Sequence, residues 1–473
     1  VLSRRDQLQS YQFLMQRVIS ALVLRETDPL TPPFRRFLIA GFSSLIVACV
    51  ALAACGIYGL LRPGGKESWR SGDKVILERE TGALYVFRDG TLYRLANYTS
   101  GVLLLGHNNG TVTVTRSSLL DVPRGPEVGI DGAPSGLPRA DSLLGAPWTL
   151  CSRNVSDASG TNLAATVLVA GGRVDGGAAL GDRGLMVTNI ETNELFLVVH
   201  GHRHKVTDPP AALVGLGLGQ EPRVRVGSAW LTAVPAGVPL APPAIGDRGK
   251  PSGFAGALIG QLLTVPTAGA GKQYYVAVRD GLRSISEVEF ALLFASRATA
   301  AAYPKGVPAA PRAITAADAA ATVLPATPAT GPEQLPRTRP AMSPLADPDS
   351  VLCTVFQAAG STPVLTIGAH PAVRDTDLVT ARQTRAGTVL ADRVLIPGGH
   401  GAIVEAVQGD RVPGVLELVT EQGMRYPLAS PDVLRILGYP ASAVLRLPAE
   451  LIARIPEGVA LDPAAASTVL LSN

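Results

Sequence analysis

The chain of 473 residues is longer than a single hydrophobic core usually supports, and 42 basic against 38 acidic residues leave a net charge of only +4. With 5% aromatics and no sustained basic run, the composition argues against a nucleic-acid surface. Fifty Gly and 38 Pro predict many turns and short elements in place of long helices.

Residues 1–36 read as a tail with one amphipathic helix. Leu8, Tyr11, Met15, Val18 and Leu22 recur at helical spacing and share one face, and Asp28-Pro29-Leu30-Thr31-Pro32-Pro33 stops the helix. A polar face that is not strongly basic favours a protein partner over the bilayer surface. Residues 37–61 are then uncharged and apolar between Arg35 and Arg36 on one side and Arg62 on the other. As a helix this segment is about 37 Å long, enough to cross a hydrocarbon core of about 30 Å. A cleaved signal peptide is the competing reading, but its apolar region usually runs about 7 to 15 residues and lies nearer the start. Arg17, Arg25, Arg35 and Arg36 precede the span and Arg62, Lys66, Arg70, Lys74 and Arg79 follow it, so basic bias does not orient it.

Beyond the span one hairpin recurs, at 84–94, 195–205, 275–283 and 416–426. Each has β-forming residues around an X-Gly turn whose glycine, Gly90, Gly201, Gly281 or Gly423, accepts the positive φ of a tight reversal. Asn97, Asp208, Ser286 and Ser430 follow as helix N-caps, and they predict helices near 98–105, 209–216, 287–295 and 431–437. Gly106, Gly217 and Gly438 end three of these. A short strand and a second short helix then lead to Pro-x-Gly at 123–125, 235–237, 304–306 and 456–458, with the third copy shortened.

These spacings define four repeat units, 72–135, 181–247, 253–312 and 393–465. The Val-, Leu- and Thr-rich segments 136–180 and 346–392 read as two halves of a central β domain, 313–345 as an Ala/Pro-rich connection with a helix after Thr315, and 466–473 as a C-terminal tail. The predicted class is α+β: an amphipathic helix, one transmembrane helix, then four small α/β units around a central β domain. The order repeat, core half, repeat, repeat, core half, repeat reads as a palindrome and suggests internal pseudo-twofold symmetry.

Cys49 and Cys55 fall in the span, which leaves Cys151 and Cys353 in similar contexts, Trp-Thr-Leu-Cys-Ser and Ser-Val-Leu-Cys-Thr. Either a disulfide joins the two core halves, which requires an oxidising compartment outside the cytoplasm, or these are two unrelated buried thiols.

No catalytic, cofactor-binding or metal-binding residue is nominated. The phosphate-binding pattern Gly-x4-Gly-Lys-Ser/Thr does not occur, and Gly65-Lys66-Glu67, Gly249-Lys250-Pro251 and Gly271-Lys272-Gln273 read as ordinary turns. His200, His202 and His204 alternate as strand-borne zinc ligands do, yet His200 sits at a turn, so a solvated hairpin edge is the better reading. His107, His370 and His400 lack any local signature of a nucleophile, and there is no Gly-x-Ser-x-Gly elbow.

Taken together, stretches 5–17, 60–64, 81–86, 122–134, 147–151, 233–240 and 274–281 resemble EccB, the single-span component of the mycobacterial and actinobacterial type VII (ESX) secretion machine. The resemblance implies a cytoplasmic N-terminus, one span in the inner membrane, and a periplasmic body of four repeats around a central β domain with a Cys151–Cys353 disulfide. It also implies a scaffold beside the motor ATPase EccC, EccD, EccE and the mycosin protease, self-associated as a ring of six, with the tail of Leu8 to Leu22 facing membrane partners. The repeat fold of that family resembles a cell-wall-binding subunit of a phage lysin, so peptidoglycan contact is a weaker alternative. The family is often labelled an ATPase, which would make ATP its only cofactor, but no residue motif here carries that label over.

Overall fold

The computed structural model describes residues 3–25, 35–61, 67–156, 159–160, 162–267, 271–303, 310–325, 330–374, 376–408 and 413–470. Two helices come first. Arg4–Leu24 starts at a reciprocal capping box in which Ser3 and Asp6 bond each other's backbone, and Arg35–Leu61 carries the apolar run. The stop signal at 28–33 and the basic flank at Arg62 and Lys66 lie outside the described residues.

Four four-stranded sheets follow, and in each the strands lie in the spatial order third, second, first, fourth. The first contains Val75–Glu78, Leu84–Arg88, Thr91–Leu95 and Thr111–Val114; the second Leu185–Asn189, Leu195–Val199, His202–Lys205 and Arg223–Val226. The third contains Leu262–Pro266, Lys272–Val278, Gly281–Ile285 and Arg312–Ala313; the fourth Gly401–Val407, Val415–Thr420, Arg425–Pro427 and Val444–Pro448. The first three strands are antiparallel neighbours, and the fourth runs parallel to the first.

Turn chemistry explains two hairpins directly. Asp89-Gly90 and His200-Gly201 have φ of 50° and 78°, and 49° and 74°, the paired left-handed residues of a two-residue reversal. The fourth hairpin has a longer loop with Gly423 at φ 69°. The third departs from expectation. Val278 pairs with Gly281, so Arg279-Asp280 makes the turn and Gly281 opens the next strand, where a Cβ would lie 2.3 Å from the Thr322 carbonyl oxygen.

The helices after the hairpins are Tyr98–Leu105, Pro209–Gly215, Glu287–Ala295 and Pro431–Ile436. Asn97, Asp208 and Ser286 accept from the exposed first-turn amides, whereas Ser430 occupies its cap without a side-chain bond. Gly106, Gly217 and Gly438 take φ of 77°, 63° and 87° past the helix ends.

The Pro-x-Gly loops lie beside the hairpin's second strand, with parallel bridges Leu92 to Arg124, Arg203 to Ala236 and Arg425 to Glu457. Their glycines are required by close approach, not by φ. A Cβ on Gly125, Gly237 or Gly458 would lie 2.6, 2.3 or 2.4 Å from the ring of Tyr93, His204 or Tyr426. In the third unit the corresponding bridge joins Leu282 to Val323, and Pro304–Gly306 lies outside the described residues. That unit therefore does not end at 312. Its parallel strand is Arg312–Ala313, and the capped helix Ala316–Thr322 contributes Ala319 to the same core as Leu263 and Tyr275. The helix expected after Thr315 is present, started by the Thr315–Asp318 capping box, but it packs into this unit and does not lie on a separate surface connection.

A six-stranded sheet occupies the centre, in the order Arg393–Leu395, Asn162–Val169, Trp148–Ser156, Leu352–Phe356, Val364–Ile367 and Ala178–Ala179. It continues past 392, because Arg393–Leu395 pairs with Val167–Val169. Trp148, Leu150 and Phe356 share one buried cluster with Val187 and Trp230 of the second unit and Val404 and Leu451 of the fourth. The other contacts are pairwise. Val102 and Leu103 of the first unit share a core with Leu418 and Leu437 of the fourth, while Ala212 and Leu216 of the second share one with Val288 and Leu292 of the third.

Candidate functional site

Cys151 and Cys353 are register partners on adjacent antiparallel strands, with Leu150 opposite Thr354 and Ser152 opposite Leu352. Side chains at facing positions of such a pair point to the same side of the sheet, and the Cα atoms here are 4.0 Å apart with the sulfurs bonded. The disulfide is fully buried beside Ala369 and closes a sequence separation of 202 residues. Cys49 and Cys55 are free thiols on the apolar helix.

In that helix, Leu38–Ile57 is long and apolar enough to cross a membrane. On the N-terminal helix Leu8, Tyr11, Met15, Val18 and Leu22 are all exposed, Leu22 most of all at 78%. Phe13 and Leu14 are exposed as well, so the apolar surface is wider than one narrow stripe.

The histidine triplet does not converge. His200 holds the turn, His202 bonds the His200 carbonyl through Nδ1, and His204 is completely buried with its Nδ1–H donating to the Val238 carbonyl at 2.7 Å. The hairpin edge is thus not solvated at His204, because the Gly237 loop covers that ring; desolvation lowers its pKa from the ordinary value. Among the described residues no group of three His, Cys, Asp or Glu side chains gathers as a metal site would require. Lys250 of the Gly249-Lys250 turn pairs with Asp247 at 2.8 Å, and Lys272 begins a strand.

Sequence reasoning passed over one constellation in the fourth unit. Glu417 is buried on a strand and bonds Arg425 at 2.7 Å, while Arg425 also pairs with Glu457. Desolvation raises the Glu417 pKa, opposed by the adjacent guanidinium. The available signal was Glu417 standing alone between apolar residues in Val415–Thr420.

A family model described as Type VII secretion system ESX-1, transport TM domain B, matches residues 1–470. The chain belongs to this family, EccB. ESX-2 secretion system ATPase EccB2 of Mycobacterium tuberculosis strain H37Rv is 29% identical across 98% of this EccB chain and 94% of its own length. ESX-3 secretion system ATPase EccB3 of the same strain is 30% identical across 61% and 56%. The solved EccB3 dimer from the ESX-3 core complex superposes with a TM-score of 0.62 at 26% identity, over 84% of this EccB chain and all of that one. A chain of the intact ESX-5 inner membrane complex shares the fold at a TM-score of 0.63, with 23% identity and coverage of 100% and 96%.

Proposed function

We propose that this chain is a structural core subunit of a type VII (ESX) secretion membrane complex that helps export proteins across the inner membrane. The observation that carries this reading is the family match over residues 1–470, which unites tail, apolar helix and body in one architecture. In it the tail is cytoplasmic, Leu38–Ile57 spans the membrane, and the body from residue 67 stands on the periplasmic side. The Cys151–Cys353 bond supports that orientation, since structural disulfides form and persist in an oxidising compartment. The partners are EccC, EccD, EccE and the mycosin protease, and the subunit self-associates up to a ring of six. The apolar tail surface around Leu8, Tyr11, Met15, Val18 and Leu22 meets the other membrane components.

The body is read as a tandem duplication, 72–247 and 253–465, related by an approximate dyad through the disulfide. Matching contacts support this order over a palindrome. The connector after the first unit bridges Leu143 to Gly401 of the fourth, and the connector after the third bridges Met342 to Gly184, at the start of the second. Each half thus docks its leading unit on the other half's trailing unit, and such interlocking suits a rigid scaffold.

Although the EccB2 and EccB3 relatives are named ATPases, this subunit does not hydrolyse ATP in our reading, since the sequence lacks the Gly-x4-Gly-Lys-Ser/Thr loop. Copurification of the full chain with the other ESX components from native membranes tests the proposal. A lone monomer in mild detergent overturns it, and ATP turnover by the purified chain that a folded point variant abolishes restores the hydrolase reading.

A further inference from the structure

Chain length fixes where the first unit can stand. The apolar helix Arg35–Leu61 ends six positions before the single helical turn Glu67–Ser71, and six positions reach at most about 22 Å. Trp69 of that turn is buried in the same cluster as Leu119 and Val122, so the point where the chain enters the unit adjoins the turn Arg116–Leu119. The end of the first unit tethered to the apolar helix therefore carries residues 67–71 and 116–122.

Leu120 is unusual at this end. It is 66% exposed, although Leu119 before it is fully buried. Counted back from the Pro-x-Gly loops, the same position is Thr232 in the second unit and Ala453 in the fourth. Two positions earlier Ser118 corresponds to Trp230 and Leu451, which pack into the core of the central sheet. The second and fourth units thus dock this turn inward, whereas the first leaves it free with an exposed leucine. Two cations belong to the same end. Arg70 is exposed and stacks over the Trp69 ring at 5.1 Å, and the Arg116 side chain is 68% exposed and meets Glu78 only at 3.8 Å. Glu80 accepts from the Arg116 backbone N–H at 2.8 Å, but its charge is offset by Arg79 at 3.3 Å.

We propose that this end of the first unit seats on the phospholipid bilayer that holds the apolar helix, with Leu120 entering the headgroup boundary while Arg70 and Arg116 donate to lipid phosphates. The inference rests on reading Leu38–Ile57 as a membrane span. A lone exposed leucine is ordinary on a surface that faces water. Here the short tether names the occupant, because it keeps the leucine and both guanidinium groups beside the leaflet from which the helix emerges.

The test places the full chain in nanodiscs of phosphatidylcholine and phosphatidylglycerol in equal parts and reads spin labels by their collisions with oxygen relative to a water-soluble nickel chelate. Labels stand singly at Leu120→Cys, at Val214→Cys as the exposed reference on the second unit, and at native Cys49, the other free cysteine or cysteines being replaced by Ala; the buried disulfide takes no label. The oxygen preference at position 120 should be at least threefold that at 214, and R70Q with R116Q should lower it at least twofold. Equal preference at 120 and 214, or an undiminished preference in the double Gln variant, overturns the proposal. A strong oxygen preference at Cys49 in the same samples leaves the span standing when the proposal fails; a weak one there overturns both.

Discussion

Replacing both Cys151 and Cys353 by Ser removes the cross-link without leaving an orphan thiol, and the cost follows from loop length. Closing a separation of 202 residues restricts the unfolded chain by about 5 kcal/mol in the chain-entropy treatment. The sulfurs lie in a dry cluster with Ala369, and two serine hydroxyls there must find each other or remain unpaired, which adds to the loss. The bond also joins the two central strands that carry the separate halves of the chain, so its removal should broaden unfolding as well as lower its midpoint. The assay is urea unfolding of the full chain in detergent, monitored through the buried Trp148 and Trp230, for the double variant and the parent. Alongside it, the denatured but unreduced parent should take up thiol reagent at Cys49 and Cys55 only, whereas Cys151→Ser should add a labelled Cys353. Equal midpoints for parent and double variant, or labelling of Cys353 in the parent, refutes the reasoning.

Gly458→Ala should destabilise by about 1–3 kcal/mol, since its Cβ meets the Tyr426 ring at 2.4 Å, whereas Gly219→Ala, with open space around it, should change the thermal midpoint little. Asn97→Ala should cost about 1–2 kcal/mol because its Oδ1 caps Ser100 and its Nδ2 donates to the Ile130 carbonyl; Ser430→Ala, which loses no cap bond, should unfold at nearly the parent's denaturant concentration. His204 has a folded pKa below its ordinary 6.5. The unfolded chain therefore takes up that proton first, and the stability present above pH 6.5 falls as acid is added, through the folded pKa. His204→Phe should flatten that part of the stability profile between pH 7.5 and 5.5; an unchanged slope would mean another group sets it.

Local signals were sufficient for much of the fold because they act within a few residues. Asp89-Gly90 and His200-Gly201 fix hairpins by their own φ, Ser286 with Glu289 starts a helix by closing two hydrogen bonds, and an apolar run of membrane length declares itself by composition. The reading faltered where a local cue had two solutions. Arg-Asp-Gly at 279–281 offers a turn at either dipeptide, and only the pairing of Val278 with Gly281 chose between them. The Ala-rich stretch after Thr315 looked like a surface connection because a short helix needs few large apolar residues when a neighbouring sheet supplies the core.

The amino-acid sequence alone determined the apolar run of membrane length, the recurring hairpin with three of its four helix caps, and which two cysteines lie outside that run, since each depends on neighbours along the chain. Tertiary structure decided which units touch, why Pro-x-Gly needs its glycine, and that Glu417 is buried against Arg425. Those properties belong to surfaces that meet only after folding, when residues hundreds of positions apart compete for the same volume and the same hydrogen bonds.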